Sequence, residues 1–362
     1  MVDKRIYVVD LESVPTRYTC EWKDHIPNLL REEIKERNLN IEVINISGGE
    51  STIEATPGAF LNFQQTNIYK NNQLNNIAER FTSEVKPNDV FLFTDAWNTG
   101  ILQLKYMSEL LNIPIEISAL WHAGSYDPQD FLGRLIRDKK WTYATERAIY
   151  HAVDYNWFAT RFHSELFSNT LDVSGGKSHI TGWPMDYMPA VLNKYKSVEK
   201  EDIIIFPHRI APEKQPEIFR DLAKYFPEYE FVVCQDEKLS KEQYHKLLAK
   251  SKIMWSANLQ ETLGISPFEG AILGVVPLLP NRLSYTEMYG KKYLYPGVWT
   301  ASFSNYEFYR ENIIRMIKDT MEEYDVLRGN VENHLAPQLL KNFFNATNLV
   351  DNLLRNKNEY TK

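Results

Sequence analysis

The sequence predicts an α/β protein with two domains, each built on a parallel sheet that helices cover on both faces. Three observations support this fold class. Short apolar runs alternate with amphipathic stretches along nearly the whole chain, the runs contain few polar residues, and a polar joint separates two such series. Unbroken apolar strands are typical of parallel sheets buried between helices. With 362 residues, each half is long enough to bury its own core.

Nine runs rich in β-branched and aromatic residues are predicted to be strands. They are RIYVVDL (5–11), IEVINI (41–46), DVFLFTD (89–95), IPIEISALW (113–121), YNWFAT (155–160), DIIIFPH (202–208), EFVVCQD (230–236), KIMWSA (252–257) and VVPLLP (275–280). The amphipathic stretches between them, such as GILQLKYMSELLN and KEQYHKLLAKS, predict helices. The polar stretch 47–76, which contains KNNQLNN, is predicted to be an exposed loop.

The predicted domain boundary lies in the segment 179–202, where two prolines and a glycine precede a charged run. We expect a first domain at 1–185, a second at 186–335, and a C-terminal helix at 336–362 that could pack on the first domain. Two such domains facing one another would form a cleft at the carboxyl ends of their strands, where open α/β sheets bind ligands.

Composition excludes several classes of protein. The net charge of −7 gives no overall attraction to nucleic acid or anionic membranes, so a polyanionic partner would need a local basic patch. The two cysteines, Cys20 and Cys234, have no metal-ligand spacing and predict a reducing compartment. The start of the chain lacks an apolar signal core, and no apolar run reaches the roughly 18–20 residues of a membrane helix. We therefore expect a cytoplasmic protein that does not associate with membranes.

Two cations follow the first strand of the second domain, in the segment FPHRIAPEKQPEIF (206–219). Arg209 and Lys214 lie in a loop that a parallel sheet places at its carboxyl edge. Cations in such a loop, next to the amides of a helix start, suit a diphosphate, because its charge is spread over several oxygens. The alternative is a solvated pair of surface charges.

Two carboxylates flank a glycine turn in the segment ETLGISPFEG (261–270). Gly264 allows the backbone to come close to a ligand, and the amides that follow it can face an anion. Glu261 and Glu269 can each accept hydrogen bonds from vicinal hydroxyls, because a carboxylate only accepts. A helix acid that complements the dipole would explain one glutamate but not both.

The E-x7-E pair of Glu261 and Glu269, the upstream Arg and Lys, and the strand VVPLLP together resemble the nucleotide-sugar domain of retaining GT-B glycosyltransferases, from about Gly182 to Glu287. The resemblance implies two facing Rossmann-like domains and a nucleotide-sugar co-substrate such as a UDP-sugar, with no required metal. By the same resemblance, Arg209 and Lys214 would bind the diphosphate and stabilise the leaving group. The amides of Gly264, Ile265 and Ser266 would bind phosphate and sugar, Glu269 the ribose, and Glu261 the donor sugar.

In the first domain, the family often has a histidine near the donor sugar, and LWHAGSYDPQDF (120–131) offers His122 as the matching catalytic contact. A structural histidine is the alternative. Asp95 and Trp97, at the end of another strand, are candidates to touch the acceptor. The first turn is not glycine-rich but carries polar and cationic groups that include Arg17 and Tyr18, which we also assign to the acceptor.

The acceptor is predicted from the segment GRLIRDKKWTYATER (133–147), where five cations outnumber two acids. Lys139, Lys140 and Trp141 could track a nucleic-acid backbone and hold an unstacked base. The PTRYT turn is also similar to that of DNA-modifying glycosyltransferases of bacterial viruses. We therefore rank a hydroxymethylated pyrimidine in viral DNA first, which would place the protein in the host cytoplasm. The alternatives are a glycan or small-molecule acceptor, a GT-B nucleotide-sugar epimerase and a non-enzymatic sugar-nucleotide-binding module. A solvated helix face remains the simpler interpretation of 133–147.

Overall fold

The computed structural model describes residues 4–13, 18–49 and 62–355, and these form two compact α/β units. Unit 1 comprises Met1–Pro184 and Ala346–Lys362, and unit 2 comprises Met185–Asn345. Each unit contains one parallel sheet with helices in the connections. The predicted α/β class with two parallel-sheet units is therefore confirmed.

Unit 1 is built on a six-stranded sheet in the order β2-β1-β3-β4-β5-β6. All of its neighbouring strands pair in parallel. The strands are β1 (Lys4–Val9), β2 (Ile41–Ile46), β3 (Val90–Phe93), β4 (Glu116–Trp121), β5 (Tyr155–Phe158) and β6 (Ser178–Ile180). The helices are α1 (Tyr18–Glu36), α2 (Phe63–Phe81), α3 (Gly100–Leu110), α4 (Phe131–Leu135), α5 (Lys139–Ala152) and α6 (Arg161–Leu171).

Unit 2 is built on a five-stranded parallel sheet in the order β11-β10-β9-β7-β8. The strands are β7 (Ile203–Phe206), β8 (Glu230–Val233), β9 (Ile253–Trp255), β10 (Val276–Asn281) and β11 (Leu294–Pro296). The helices are α7 (Met188–Leu192), α8 (Pro216–Leu222), α9 (Lys241–Lys250), α10 (Ile265–Ile272), α11 (Tyr285–Met288), α12 (Phe303–Glu322), α13 (Tyr324–Asn330) and α14 (Ala336–Phe343). A π-helical turn (Val331–Leu335) joins α13 to α14.

Several inner strands are buried along their whole length, which explains why their sequences are mostly apolar without alternation. Every residue of β3, β4 and β7 is buried. Strands covered on both faces have little room for polar side chains that lack a partner, so they appear in sequence as nearly continuous apolar runs. The edge strand β2, in contrast, is mostly half-buried or exposed.

Each predicted strand run overlaps an observed strand, while two short edge strands were not predicted and one predicted loop is helical in its second half. The strands β6 and β11 have three residues each, too few for a periodic pattern to appear. The stretch 47–76 was predicted to be a loop, but its second half starts α2, which buries Tyr69, Gln73 and Ile77. That part of the prediction is wrong, because the buried face of α2 includes polar residues that are hydrogen-bonded, such as Thr66 and Gln73.

The last described helix, α15 (Thr347–Leu354), belongs to unit 1. Arg355, just after the helix, forms an ion pair with Glu116 of β4 at 2.9 Å. Lys4 of β1 donates hydrogen bonds to the carbonyls of Leu353 and Arg355 at 2.7 and 3.0 Å. The C-terminal helix is thus joined to the first sheet by polar contacts at two of its strands.

Each sheet has one switch point, where successive connections leave in opposite directions. In unit 1, the chain goes from β1 to its neighbour β2 and then returns to β3 on the other side of β1. In unit 2, it goes from β7 to β8 and then returns to β9 on the other side of β7. Loops that diverge at such a point leave a crevice at the carboxyl ends of the strands, which is where α/β sheets bind ligands.

Candidate functional site

The loops that follow β7 and β9 bring two of the predicted donor-binding residues, Lys214 and Glu261, together at the switch point of unit 2. The loop after β7 ends in a single 3₁₀ turn (Pro212–Lys214) before α8. The backbone amide of Leu259, in the loop after β9, donates to the carbonyl of Glu213 at 2.8 Å. This hydrogen bond fixes the two loops against each other, although they are more than forty residues apart in sequence.

Lys214 and Glu261 form an ion pair at this point. The Lys214 Nζ lies 3.2 Å from Glu261 Oε2 and also donates to the carbonyl of Gln260 at 2.5 Å. The Lys214 side chain is 7% exposed and that of Glu261 is 20% exposed. The alternative for Lys214, a solvated surface charge, is therefore wrong. A nearly buried cation held by one carboxylate and one carbonyl keeps a third donor for a ligand, because an ammonium has three.

Arg209 has a different partner from Lys214. Its guanidinium donates from Nε to Glu213 Oε1 at 3.0 Å and also from Nη2 to the same oxygen. The Glu213 side chain is fully buried, whereas that of Arg209 is 28% exposed. The predicted pair of cations is thus present at the switch point, but each cation already has a carboxylate partner.

Glu261 is held by the amide of Asn258 as well as by Lys214. Asn258 Nδ2 donates to Glu261 Oε2 and to the hydroxyl oxygen of Tyr285, at 3.2 and 3.0 Å. Burial acts to raise the pKa of the Glu261 carboxyl, but Lys214 and the other nearby positive groups together outweigh it and hold the pKa below its usual range. Glu261 is therefore an ionised acceptor at neutral pH, as hydrogen bonding to sugar hydroxyls requires.

The turn before α10 has the geometry that the glycine predicts. Gly264 has φ +81°, in the left-handed region. A Cβ atom at this position would lie 3.0 Å from the Tyr285 ring, so glycine is needed for both backbone conformation and packing. Among the described residues, no side chain caps the start of α10. The amides of Ile265 and Ser266 thus open a helix whose first turn lacks a side-chain acceptor.

Glu269 lies one turn into α10 and is 6% exposed. Its Oε2 accepts from the Tyr244 hydroxyl at 2.8 Å, and its Oε1 lies 3.6 Å from Nε2 of His245. Both contacts come from α9. The structure therefore joins Glu269 to α9 and Glu261 to Lys214, so the two glutamates of the E-x7-E pair have separate surroundings.

Sequence reasoning missed Arg282, which follows β10. This side chain donates five hydrogen bonds, to the carbonyls of Ala257, Asn258, Gly297 and Thr300 and to the Thr300 hydroxyl, at 2.7–3.1 Å. It ties the loop after β9 to the segment after β11. The next residue, Leu283, has φ +60°, a costly conformation for a bulky residue. An arginine beside a predicted strand end was visible in sequence, but carbonyl partners leave no sequence signal.

In unit 1, both ring nitrogens of His122 have partners. Nε2 lies 2.6 Å from the carbonyl oxygen of Thr94, and Nδ1 lies 2.7 Å from the hydroxyl oxygen of Tyr18. A carbonyl can only accept, so the neutral ring carries its proton on Nε2 and accepts at Nδ1. The ring also lies 4.9 and 5.4 Å from those of Trp183 and Trp22. This geometry matches the alternative of a structural histidine, with Tyr18 as its partner.

Asp95 and Trp97 are joined through Lys70 of α2. Lys70 Nζ lies 3.2 Å from Asp95 Oδ2 and donates to the carbonyl of Trp97. The indole N–H of Trp97 donates to Glu146 Oε1 at 2.8 Å. Glu146 is fully buried and therefore does not belong to the solvated face that the sequence of 133–147 suggested.

The remaining predicted acceptor residues lie at the start of α5. Lys140 is exposed, and Trp141 is 50% exposed. Lys139 is half-buried, and its Nζ donates to the carbonyl of Gly133. Arg17 lies outside the described residues. The structure thus leaves Lys140 and Trp141 accessible, while Lys139 is used to hold α4 and α5 together.

The switch point of unit 1 holds a buried carboxylate, Asp10, that follows β1. It is 7% exposed, and its Oδ1 accepts from the Tyr69 hydroxyl at 2.5 Å and from Gln73 Nε2 at 2.8 Å. Among the described residues, its Oδ2 has no hydrogen-bond partner. Burial raises the pKa of Asp10 to about 6, although the Tyr69 hydroxyl opposes the shift.

We expect Asp10→Asn to change how stability depends on pH. A carboxyl whose pKa is higher in the folded state than in the unfolded state binds its proton more tightly in the folded state. The free energy of unfolding therefore rises as the pH falls from about 6 to about 4. Asparagine does not titrate, so the variant lacks this gain. The unfolding free energy of the variant minus that of the wild type should therefore fall by on the order of 3 kcal/mol between pH 7 and pH 4. Urea unfolding at each pH measures this, with Asp24→Asn on the exposed side of α1 as control. A difference that stays constant over this range would contradict the expectation.

Within the described residues, no group of three or more His, Cys, Asp or Glu side chains could hold a metal ion. None of the described helices is both long enough and apolar enough to cross a membrane.

Comparison with known proteins identifies the fold. No protein-family model and no curated protein matches the chain. Among solved structures, HepE from Anabaena in complex with UDP is similar at a TM-score of 0.56 and 10% identity, over 97% of this chain and 99% of that one. Sucrose-phosphate synthase from Thermosynechococcus elongatus is similar at a TM-score of 0.61 and 10% identity, over 96% of each chain. UDP-GlcNAc 2-epimerase from Neisseria meningitidis, bound to UDP-GlcNAc, is similar at a TM-score of 0.54 and 15% identity, over 98% of this chain and 100% of that one. At these identities the likeness concerns the fold, and the chain has the two Rossmann-like units of the GT-B fold.

Proposed function

We propose that the protein is a glycosyltransferase that moves a sugar from a nucleotide-sugar donor, such as a UDP-sugar, to an acceptor hydroxyl. The observation that carries the proposal is the Lys214–Glu261 ion pair at the switch point of the second sheet. A nearly buried cation and an ionised carboxylate, side by side, offer a counter-charge for a diphosphate and an acceptor for sugar hydroxyls. The fold supports the same conclusion, because the similar solved structures include glycosyltransferases.

In this proposal, unit 2 binds the donor. Lys214 and Arg209 contact the diphosphate and stabilise the charge that develops on the leaving group. The amides of Gly264, Ile265 and Ser266 add hydrogen bonds at the start of α10. Arg209 is bound to Glu213 and is partly exposed, so it contacts the diphosphate at the edge of the site. Lys214 contributes most of the charge stabilisation.

The two glutamates hold hydroxyl groups. Glu261 accepts from the donor sugar while it stays paired with Lys214, and Glu269 accepts from the ribose. Oε2 of Glu269 already accepts from Tyr244, so the ribose hydroxyl would bind at Oε1, which lies 3.6 Å from Nε2 of His245. By the family resemblance, His122 is the candidate catalytic contact of unit 1, and Tyr18, which is hydrogen-bonded to its Nδ1, is a candidate acceptor residue.

The donor half is tested by calorimetric titration of UDP, ADP and GDP, followed by transfer assays with the corresponding sugars. We expect tight binding of one nucleoside diphosphate and a rate that EDTA does not change, because the proposal includes no catalytic metal. NMR of the product should show retained anomeric configuration. Failure of every nucleoside diphosphate to bind would overturn the proposal and favour an unrelated function. Conversion of the donor to an epimeric nucleotide sugar without any acceptor would identify an epimerase.

For the acceptor, we propose a hydroxymethylated pyrimidine in viral DNA. The support is local: Trp141 is half-exposed beside the exposed Lys140 at the start of α5. An exposed indole can stack on a base, and the adjacent cation can contact the backbone. Glycans and small molecules are the competing acceptors, and a screen by mass spectrometry of hydroxymethylated DNA, plain DNA and simple glycans separates them.

We expect the double variant Lys140→Ala/Trp141→Ala to raise KM for hydroxymethylated DNA by about tenfold, since one stacked base contributes about 1–3 kcal/mol. The KM for the donor should not change, because the donor contacts are assigned to unit 2. Tyr106→Ala, at a 66% exposed aromatic residue of α3, is the matched control. An unchanged KM for DNA in the double variant would exclude this patch, and a mass gain on a glycan alone would exclude DNA.

A further inference from the structure

His208 lies two residues beyond the end of β7, at the switch point of the second sheet. The residue is 6% exposed, and its ring packs edge-on against Phe206 at 5.1 Å between centroids. Its Nε2 atom is buried and has no hydrogen-bond partner among the described residues. A buried nitrogen without a partner costs free energy, and in native proteins such an atom usually has a specific reason.

The charged groups around His208 indicate a role for its unpartnered nitrogen. The charged groups that act on its ring are Lys214, Glu261 and Arg209, which come from the loops after β7 and β9. Burial, with a contribution from the Lys214 ammonium, lowers the pKa of His208 to about 3. The ring is therefore neutral at pH 7 and offers a hydrogen bond without adding a charge.

A second buried histidine shows the contrast. His163, in unit 1, is 4% exposed and also has a ring nitrogen, Nδ1, without a partner among the described residues. Its other nitrogen pairs with the hydroxyl of Tyr126, and its ring packs against Phe158. His163 thus lies in an aromatic core, whereas His208 lies next to the cations of the candidate donor site.

We propose that His208 belongs to the donor site and donates a hydrogen bond from Nε2 to a phosphate oxygen of the nucleoside diphosphate. This inference rests on the proposed function, because it requires a diphosphate beside Lys214. The sequence motif that predicts the donor site does not include His208. A neutral N–H fits this position, because Lys214 and Arg209 already supply positive charge and are each paired with a carboxylate. An N–H bond to an anionic oxygen is among the stronger hydrogen bonds in proteins.

The test is calorimetric titration of the full chain with UDP, ADP and GDP at pH 7.5. We expect His208→Phe, which keeps a ring but cannot donate, to raise Kd for the bound nucleotide by about tenfold or more, the usual effect of losing one hydrogen bond to a charged group. His208→Gln keeps an N–H donor and should stay within about threefold of the wild type. His163→Phe, the matched control at a buried histidine outside the site, should leave Kd unchanged.

The outcomes separate the two proposals. If the wild type binds no nucleoside diphosphate, the proposed function fails, and the assignment of His208 fails with it. If the wild type binds one and His208→Phe binds it equally well, the role of His208 is wrong and the donor site stands. Should His208→Phe fail to fold, the ¹⁵N spectrum of labelled histidine in the wild type decides. The Nε2 resonance of His208 is expected to shift on addition of the nucleotide, and an unmoved resonance overturns the inference.

Discussion

Replacing Lys214 with methionine should lower the rate of sugar transfer by about 100- to 1,000-fold, the effect typical of removing one group that stabilises developing charge in a buried site. The Lys214 ammonium is the nearly buried cation of the candidate donor site, and methionine keeps most of the aliphatic stem without the charge. The Kd of the nucleoside diphosphate should also rise, because its phosphates lose a counter-charge. Steady-state kinetics with a nucleotide sugar, together with titration of the free nucleotide, measures both effects.

The same replacement also affects stability, and a second substitution separates the two effects. Without Lys214, the carboxylate of Glu261 lacks its ion-pair partner in a mostly buried position, which costs about 3 kcal/mol or somewhat less. Lys214→Met/Glu261→Gln removes that charge, so it should recover most of the stability but none of the transfer. Lys246→Met, on the exposed side of α9, is the control. Wild-type turnover in the double variant would contradict the role of Lys214.

Replacing Arg282 with leucine should destabilise unit 2 by about 3–5 kcal/mol and lower its melting temperature by roughly 10 °C. The guanidinium satisfies four backbone carbonyls and one hydroxyl, and leucine can accept or donate nothing in its place. Unpaired carbonyls in a largely buried position each carry a desolvation cost. Differential scanning calorimetry measures the shift.

Two matched variants test this interpretation of Arg282. Arg282→Lys can reach only part of the carbonyl set and should give an intermediate melting temperature. Arg315→Leu removes the same side chain from an exposed position on α12 and should change stability by no more than about 0.5 kcal/mol. If Arg282→Leu melts within 2 °C of the wild type (roughly 1 kcal/mol for a unit of this size), water replaces the guanidinium without loss and the prediction is wrong.

The strands were predictable because parallel sheets impose a local pattern on sequence. Every residue of β4 is buried, so its apolar run is visible without knowledge of its neighbours. Helix α2 was not predictable in the same way. Its buried face includes Gln73, whose amide donates to Asp10 and to the carbonyl of Ile46. Those partners are distant in sequence, so the segment resembles an exposed loop until the tertiary structure is known.

In the candidate site, too, local features could be predicted from the sequence, whereas contacts between distant residues could not. Lys214 and Glu261 were found because charge and glycine spacing near strand ends are local features. Their ion pair, and the hydrogen bonds of Asn258 to Glu261 and Tyr285, depend on the order in which the strands enter the sheet. His208 carried no signal, because a histidine after a strand is common and its lack of a partner appears only in three dimensions.

The C-terminal helix α15 has a consequence for how the chain can be divided. Unit 2 is one uninterrupted segment, Met185–Asn345, whereas unit 1 is assembled from both ends of the chain. A ribosome therefore finishes unit 2 before it makes the second segment of unit 1, which contains α15 and the residues that Lys4 and Glu116 contact. Deleting residues after Asn345 would remove a part of the first unit, so truncation from the C-terminus should damage the half of the protein that begins at the N-terminus.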